Sequence, residues 1–255
     1  IGNPEMSGDG RHVAWVSNAT NLDPDHPGTG AAVYVHDRDV DGNGVMDEPG
    51  GPRTTWVSRA PVTVPTISPF YLVVGNVSTD GRFIDVVDFE TDATFVIDRD
   101  VDRDGTFDED PAGPGAVSAV VGAALGDPIV TTSTTAGIIV SDDGRRVLVT
   151  SRDRLTAADT DSAVDGYLLD RDVDGDGIFD EPDARSLTLL TATGSGAQTV
   201  SDMTPDGRFV LFDGADGVVP GDANGVADAF LLDRATGEPL LLSTGVGGAA
   251  AADGP

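Results

Sequence analysis

Two short marks recur through the chain about every sixty residues, and they constrain its fold more than any other feature. The first is Asp-Gly-Arg, at Asp9-Gly10-Arg11, Asp80-Gly81-Arg82, Asp143-Gly144-Arg145 and Asp206-Gly207-Arg208. Its glycines lie 71, 63 and 63 residues apart. The second is Asp-Arg closing an apolar run, at Asp37-Arg38, Asp98-Arg99, Asp170-Arg171 and Asp233-Arg234, with spacings of 61, 72 and 63. Two marks that keep one phase over four copies define a structural repeat. Each unit must then bury its apolar surface against its neighbours.

Within a copy, short runs rich in Val, Leu, Ile and Thr alternate with Gly, Pro, Asp and Asn. HVAWVS, AVYVHDR and TTWVSRA in the first copy correspond to RVLVTS, DGYLLDR and SLTLLTA in the third. Runs of this length and composition are strands joined by turns, and no 3.6-residue periodicity is evident. Asp-Gly supplies the tight turn between the first two strands, because glycine tolerates positive φ. Four short antiparallel strands repeated four times predict an all-β chain, a β-propeller of four blades of four antiparallel strands. The alternative is part of a larger propeller. The blades are expected at about 1–60, 61–128, 129–197 and 198–244, and 245–255 reads as a flexible tail or linker.

The unit S-x-DGR-x-V-x-F-x-S … D-x-F-V-x-DR … T-x-x-V-S resembles the TolB-like propeller repeats of bacterial secreted and periplasmic proteins. Propellers of that family have six or more blades as a rule. The resemblance therefore implies either a small ring or a partial one.

After the second Asp-Arg run, three copies carry DRDVDGNGVMDEP, DRDVDRDGTFDED and DRDVDGDGIFDEP. Starting at Asp37, the first fits a twelve-residue EF-hand loop, but Arg103 then occupies the required glycine position in the second. Starting two residues later places Gly44, Gly105 and Gly177 in register. The pattern becomes D-x-D-x-[DN]-G-x-x-D, which resembles the calcium loops of thrombospondin type 3 repeats and dockerins. The candidate ligands are Asp39, Asp41, Asn43 and Asp47; Asp100, Asp102, Asp104 and Asp108; and Asp172, Asp174, Asp176 and Asp180. The seventh residues, Val45, Thr106 and Ile178, offer backbone carbonyls. Alternating carboxylates on a curling loop converge, and oxygen donors of this kind suit Ca2+, about three ions in all. Glu48, Glu109 and Glu181 lie at position ten and could assist. With no paired helices for a sensor to open, each ion is expected to staple a hairpin.

A weaker acidic pattern falls in the preceding loop: Asp222, Asn224 and Asp228; Asp159, Asp161 and Asp165; and, less completely, Asp23 and Asp25. These are secondary metal candidates or ordinary Asx-turns. The fourth copy replaces the long loop with Ala235-Thr236-Gly237-Glu238.

No residue is assigned a catalytic role. His12, His26 and His36 neither recur nor show metal-ligand spacing, and no nucleophile elbow or phosphate loop is present. The repeated arginines are expected to brace turns against nearby carboxylates or carbonyls. All 15 basic residues are arginine, and the formal charge is −29. That charge disfavours nucleic acid and anionic lipid. No apolar run is long enough for a bilayer-spanning helix, so membrane insertion is not expected. The chain opens at Ile1, so the lack of a visible leader says little about its export. With no cysteine, stability outside the cell would need a source other than disulfides. The expectation is a secreted, cell-surface or periplasmic calcium-stabilised module that self-associates or binds a protein partner. A hydrolase or lyase working from the propeller's central cavity, or a glycan- or peptide-binding adaptor, stands as the alternative.

Overall fold

A computed structural model of the chain describes residues 4–26, 30–51, 53–58, 72–88, 93–101, 103–108, 117–121, 139–181, 183–191, 196–215, 217–220, 222 and 224–245. Sixteen strands occur among them, and no helix. They form four separate four-stranded antiparallel sheets, each a simple meander in chain order. The first contains β1 (Glu5–Met6), β2 (His12–Ser17), β3 (Ala32–Asp37) and β4 (Arg53–Trp56). The second contains β5 (Leu72–Val77), β6 (Phe83–Asp88), β7 (Ala93–Asp98) and β8 (Val117–Val121). The third contains β9 (Ile139–Val140), β10 (Arg146–Ser151), β11 (Asp165–Asp170) and β12 (Ser186–Leu189). The fourth contains β13 (Gln198–Met203), β14 (Phe209–Gly214), β15 (Asp228–Asp233) and β16 (Glu238–Leu241). Four repeated meanders of this kind are the blades of a β-propeller. Of the tail expected at 245–255, residues 246–255 lie outside the described residues.

The chain divides into two compact units, Ile1–Val130 and Thr131–Pro255, each holding two sheets. In the first unit, Ala14, Val16, Val33 and Val35 share one buried cluster with Leu72, Val74, Ile84, Val86, Phe95 and Ile97. In the second, Leu148 and Leu168 pack with Val200, Val210, Phe212 and Phe230. In the third sheet β10 and β11 are buried along nearly their whole length, which explains their nearly unbroken apolar sequence, whereas β14 and β15 alternate.

The Asp-Gly-Arg mark is a turn closed by its own side chains. In the first copy Ser7 Oγ donates to Asp9 Oδ1 (2.6 Å), which also accepts Arg11 N–H (2.9 Å), while Ser7 Oγ accepts His12 N–H (2.9 Å). Ser78, Ser141 and Thr204 repeat the arrangement. Glycine is required twice over at Gly81 and Gly207. Both have positive φ, 80° and 64°. A Cβ there would meet His12 Nδ1 at 2.2 Å or Arg146 Cδ at 2.5 Å.

Candidate metal centre

The long acidic loops connect β3 to β4, β7 to β8 and β11 to β12, and each springs from a doubly braced strand end. Arg11 grips Asp37 with Nε and Nη2, both at 2.8 Å. Arg82–Asp98, Arg145–Asp170 and Arg208–Asp233 repeat this bidentate pair. The strand-end aspartate also accepts the amide two residues on, Asp39 N–H to Asp37 Oδ1 at 2.9 Å, and so aims the chain into the loop.

Inside the loop, the first aspartate is the pivot. Asp39, Asp100 and Asp172 are each only 5–6% exposed. Asp39 accepts Asn43 N–H at 3.0 Å and Gly44 N–H at 2.8 Å. Asp100 likewise accepts Asp104 and Gly105, and Asp172 accepts Gly175 and Gly177. These bonds wind the following carboxylates round it. In the third loop Asp172, Asp174 and Asp176 each bring a carboxylate oxygen within 4.8 Å of the others, a group that could hold a metal ion. In the first loop Asn43 stands between two acids, its Nδ2 donating to Asp41 Oδ2 (3.1 Å) and Glu48 Oε2 (2.7 Å). Asp102 lies outside the described residues. Val45 and Ile178 carry exposed side chains, at 53% and 58%.

The ninth-position aspartates sit elsewhere. Asp47, Asp108 and Asp180 adopt positive φ, between 59° and 64°, and turn to the strand-end arginines. Arg171 Nη2 donates to Asp180 Oδ2 at 2.6 Å, with Nε at 3.1 Å from both oxygens, while Nη1 donates to Gly144 O at 2.7 Å. Arg38 and Arg99 make the same three-way clamp to Asp47 and Gly10, and to Asp108 and Gly81. The Arg38 guanidinium holds the Asp47 carboxyl below its usual range. Each clamp ties the mouth of an acidic loop to the Asp-Gly turn of its own blade, so both emerge at the same end of the sheet.

At position ten, Glu109 lies outside the described residues, while Glu48 and Glu181 are half-buried. Partial burial, followed by the charges of Asp176, Asp174 and Asp172, pushes the Glu181 carboxyl up. Glu48 reaches Asn43 in the first loop. The sequence signal was the repeated Asp-Glu pair, whose two carboxylates are interchangeable by spacing alone.

Among the secondary candidates, Asp159, Asp161 and Asp165 also converge within 4.8 Å. Asp159 accepts the Tyr167 hydroxyl, and Asp165 accepts Thr191 Oγ1 at 2.9 Å. Burial, then Asp159 and Asp161, raises the Asp165 pKa. In the fourth copy Asp228 accepts Asn224 Nδ2 (2.7 Å) and the Ser243 hydroxyl, and Asp222 is buried. In the first, Asp23 accepts Asp25 N–H and Trp56 N–H, an Asx-turn tied to a strand. Nearby, His26 packs against the rings of Tyr34 and Trp56, and Trp15 stacks on Tyr34.

The first unit also contains a cavity of about 470 Å³ bordered by Arg11, His12, Asp37, Arg53, Arg99 and Phe107. His12 is 1% exposed. Burial, then the Arg99 charge, lowers its pKa to about 4, so its imidazole is neutral at pH 7.

No family model matches the chain, and no curated protein does. Similar solved structures include TolB from Acinetobacter baumannii, at 14% identity and a TM-score of 0.47, covering 95% of this chain and 44% of that one. Prolyl oligopeptidase B from Galerina marginata is 12% identical with a TM-score of 0.47, covering 95% of this chain and 27% of that one. The tricorn protease is 12% identical with a TM-score of 0.46, covering 89% and 17%. The chain spans less than half the length of each of these structures.

Proposed function

We propose that the protein is a secreted β-propeller module that its acidic loops stabilise by binding calcium, and that it serves as a structural or interaction unit without catalysis. The observation that carries this reading is the convergence of Asp172, Asp174 and Asp176 on one point. Like charges brought that close repel, and a hard divalent cation with oxygen ligands reverses the sign of the interaction. Glu181, on which the charges of these three act, would join them. Magnesium, which demands a tighter octahedron and keeps its water, suits such a loop less well. No helix among the described residues is long and apolar enough to cross a membrane.

The charged groups bordering the cavity of the first unit include Arg11–Asp37 and Arg99–Asp108, pairs that recur in other repeats as turn braces. That recurrence favours a structural role for this region over an active site. The acidic loops also expose Val40, Val45, Val173 and Ile178. Once calcium offsets the surrounding charge, such tips can meet a partner or a second copy. Sedimentation velocity tests this: the reading expects larger species at millimolar calcium that disperse on chelation, and a monomer under both conditions would refute self-association.

A further inference from the structure

The second unit holds one strand-end arginine whose carboxylate the repeat has removed. Arg38, Arg99 and Arg171 each donate Nη1 to a turn-glycine carbonyl and grip an aspartate with Nε and Nη2. Arg234 keeps the first contact, Nη1 to Gly207 O at 2.8 Å, so its guanidinium is held in place. The loop that would supply the aspartate is absent: Thr236 and Gly237 close a tight turn onto Asp233 O instead, and the Asp233 carboxylate belongs to Arg208. Among the described residues no carboxylate meets Nε or Nη2 of Arg234. Arg146 lies close by, with its Nε buried and lacking an acceptor and its Nη1 shared between Asp143 and Asp206 O. Burial, then the Arg146 charge, lowers the Arg234 pKa, and Arg145 adds to this against the pull of Asp170.

We propose that the Nε–Nη2 edge of Arg234 is a binding site for an organic carboxylate, which would take the place that Asp180 holds against Arg171. Two parallel N–H···O bonds select a planar carboxylate over a spherical anion of the same charge. The chain's negative charge weakens approach from a distance, but salt screens it beyond about 8 Å at physiological ionic strength. The contact with Arg234 and the field of Arg146 act inside that range. The site uses none of the acidic-loop carboxylates and stands independently of calcium binding.

The test is an NMR titration of the arginine Nε–H resonances of the full chain with acetate, against chloride at matched ionic strength and pH. Arg234 is expected to shift saturably with acetate and not with chloride, while Arg171, already occupied by Asp180, stays still. In Arg234→Lys the shifting resonance should vanish, and no remaining arginine resonance should take up the saturable acetate response, because an ammonium cannot present the two-pronged edge. Unchanged Arg171 and Arg208 resonances in that variant would show that the fold persists. Equal response to the two anions, a linear response, or acetate shifting Arg171 as much as Arg234 would overturn the proposal; the wild-type titration alone decides it.

Discussion

The third and fourth repeats build the same blade around different connections between their last two strands. The third inserts a long acidic loop between Asp170 and Ser186; the fourth turns from Asp233 to Glu238 in four residues, using Gly237 at φ 73°. Both keep the arginine–aspartate brace, Arg145–Asp170 and Arg208–Asp233, and both keep the arginine bond to the turn glycine. The blade therefore needs no acidic loop to make its final hairpin. The loop is an addition at the tip, and its converging carboxylates are what it adds.

This comparison can be broken at its shared arginine. Arg171 is 2% exposed and paired, so Arg171→Ala leaves Asp180 and Gly144 O without their partner and should cost about 3 kcal/mol. Arg234→Ala removes only the bond to Gly207 and should cost about 1 kcal/mol. Urea unfolding of both variants checks the difference; equal losses would mean that the Asp180 clamp adds nothing.

A second test uses the residue that opens the second strand of each blade: His12, Phe83, Arg146 and Phe209. Unfolded, His12 takes up its proton near pH 6.5; folded, it does so only near pH 4. The unfolded state binds more protons between these values, so stability falls as pH drops from about 6.5 to 4, by up to about 3 kcal/mol. His12→Phe should flatten that part of the pH–stability curve, and an unchanged slope would contradict the assignment.

The smallest effect concerns the third residue of the same strand. It is leucine in the third and fourth repeats, Leu148 and Leu211, but Asp85 in the second, at 0% exposure. Burial raises the Asp85 pKa well above the ordinary carboxylate range. Its unfolded form ionises first as pH rises, so the folded state loses stability from about pH 4 upward. Asp85→Asn should recover about 1 kcal/mol at pH 7, seen as a higher melting midpoint.

The repeat marks made the blades legible because each is a turn device. Asp-Gly-Arg needs positive φ and a capping carboxylate, and Asp-Arg needs a strand end beside that turn. Each loop takes positive φ at both glycine positions, at Gly42 and Gly44, Arg103 and Gly105, Gly175 and Gly177, so the turn is legible in the sequence while the backbone favours neither register. The division of labour at the loop's end was not legible, because Asp180 and Glu181 offer the same group one residue apart. Only the backbone at Asp180, with φ 64°, sends one to Arg171 and leaves the other near Asp172. Asp85 was hidden for a different reason: one of two aspartates in FIDVVDF, it says nothing about which face of a strand it occupies when both faces are covered.

The central claim is that the acidic loops hold calcium, and melting the full chain at millimolar calcium and after EGTA treatment tests it most directly. At a hundredfold excess over the dissociation constant, each site should add about 2.7 kcal/mol, raising the midpoint by several degrees. Magnesium should add less, and Asp172→Asn should remove the share belonging to the third loop. Identical midpoints with calcium and with EGTA would contradict the account.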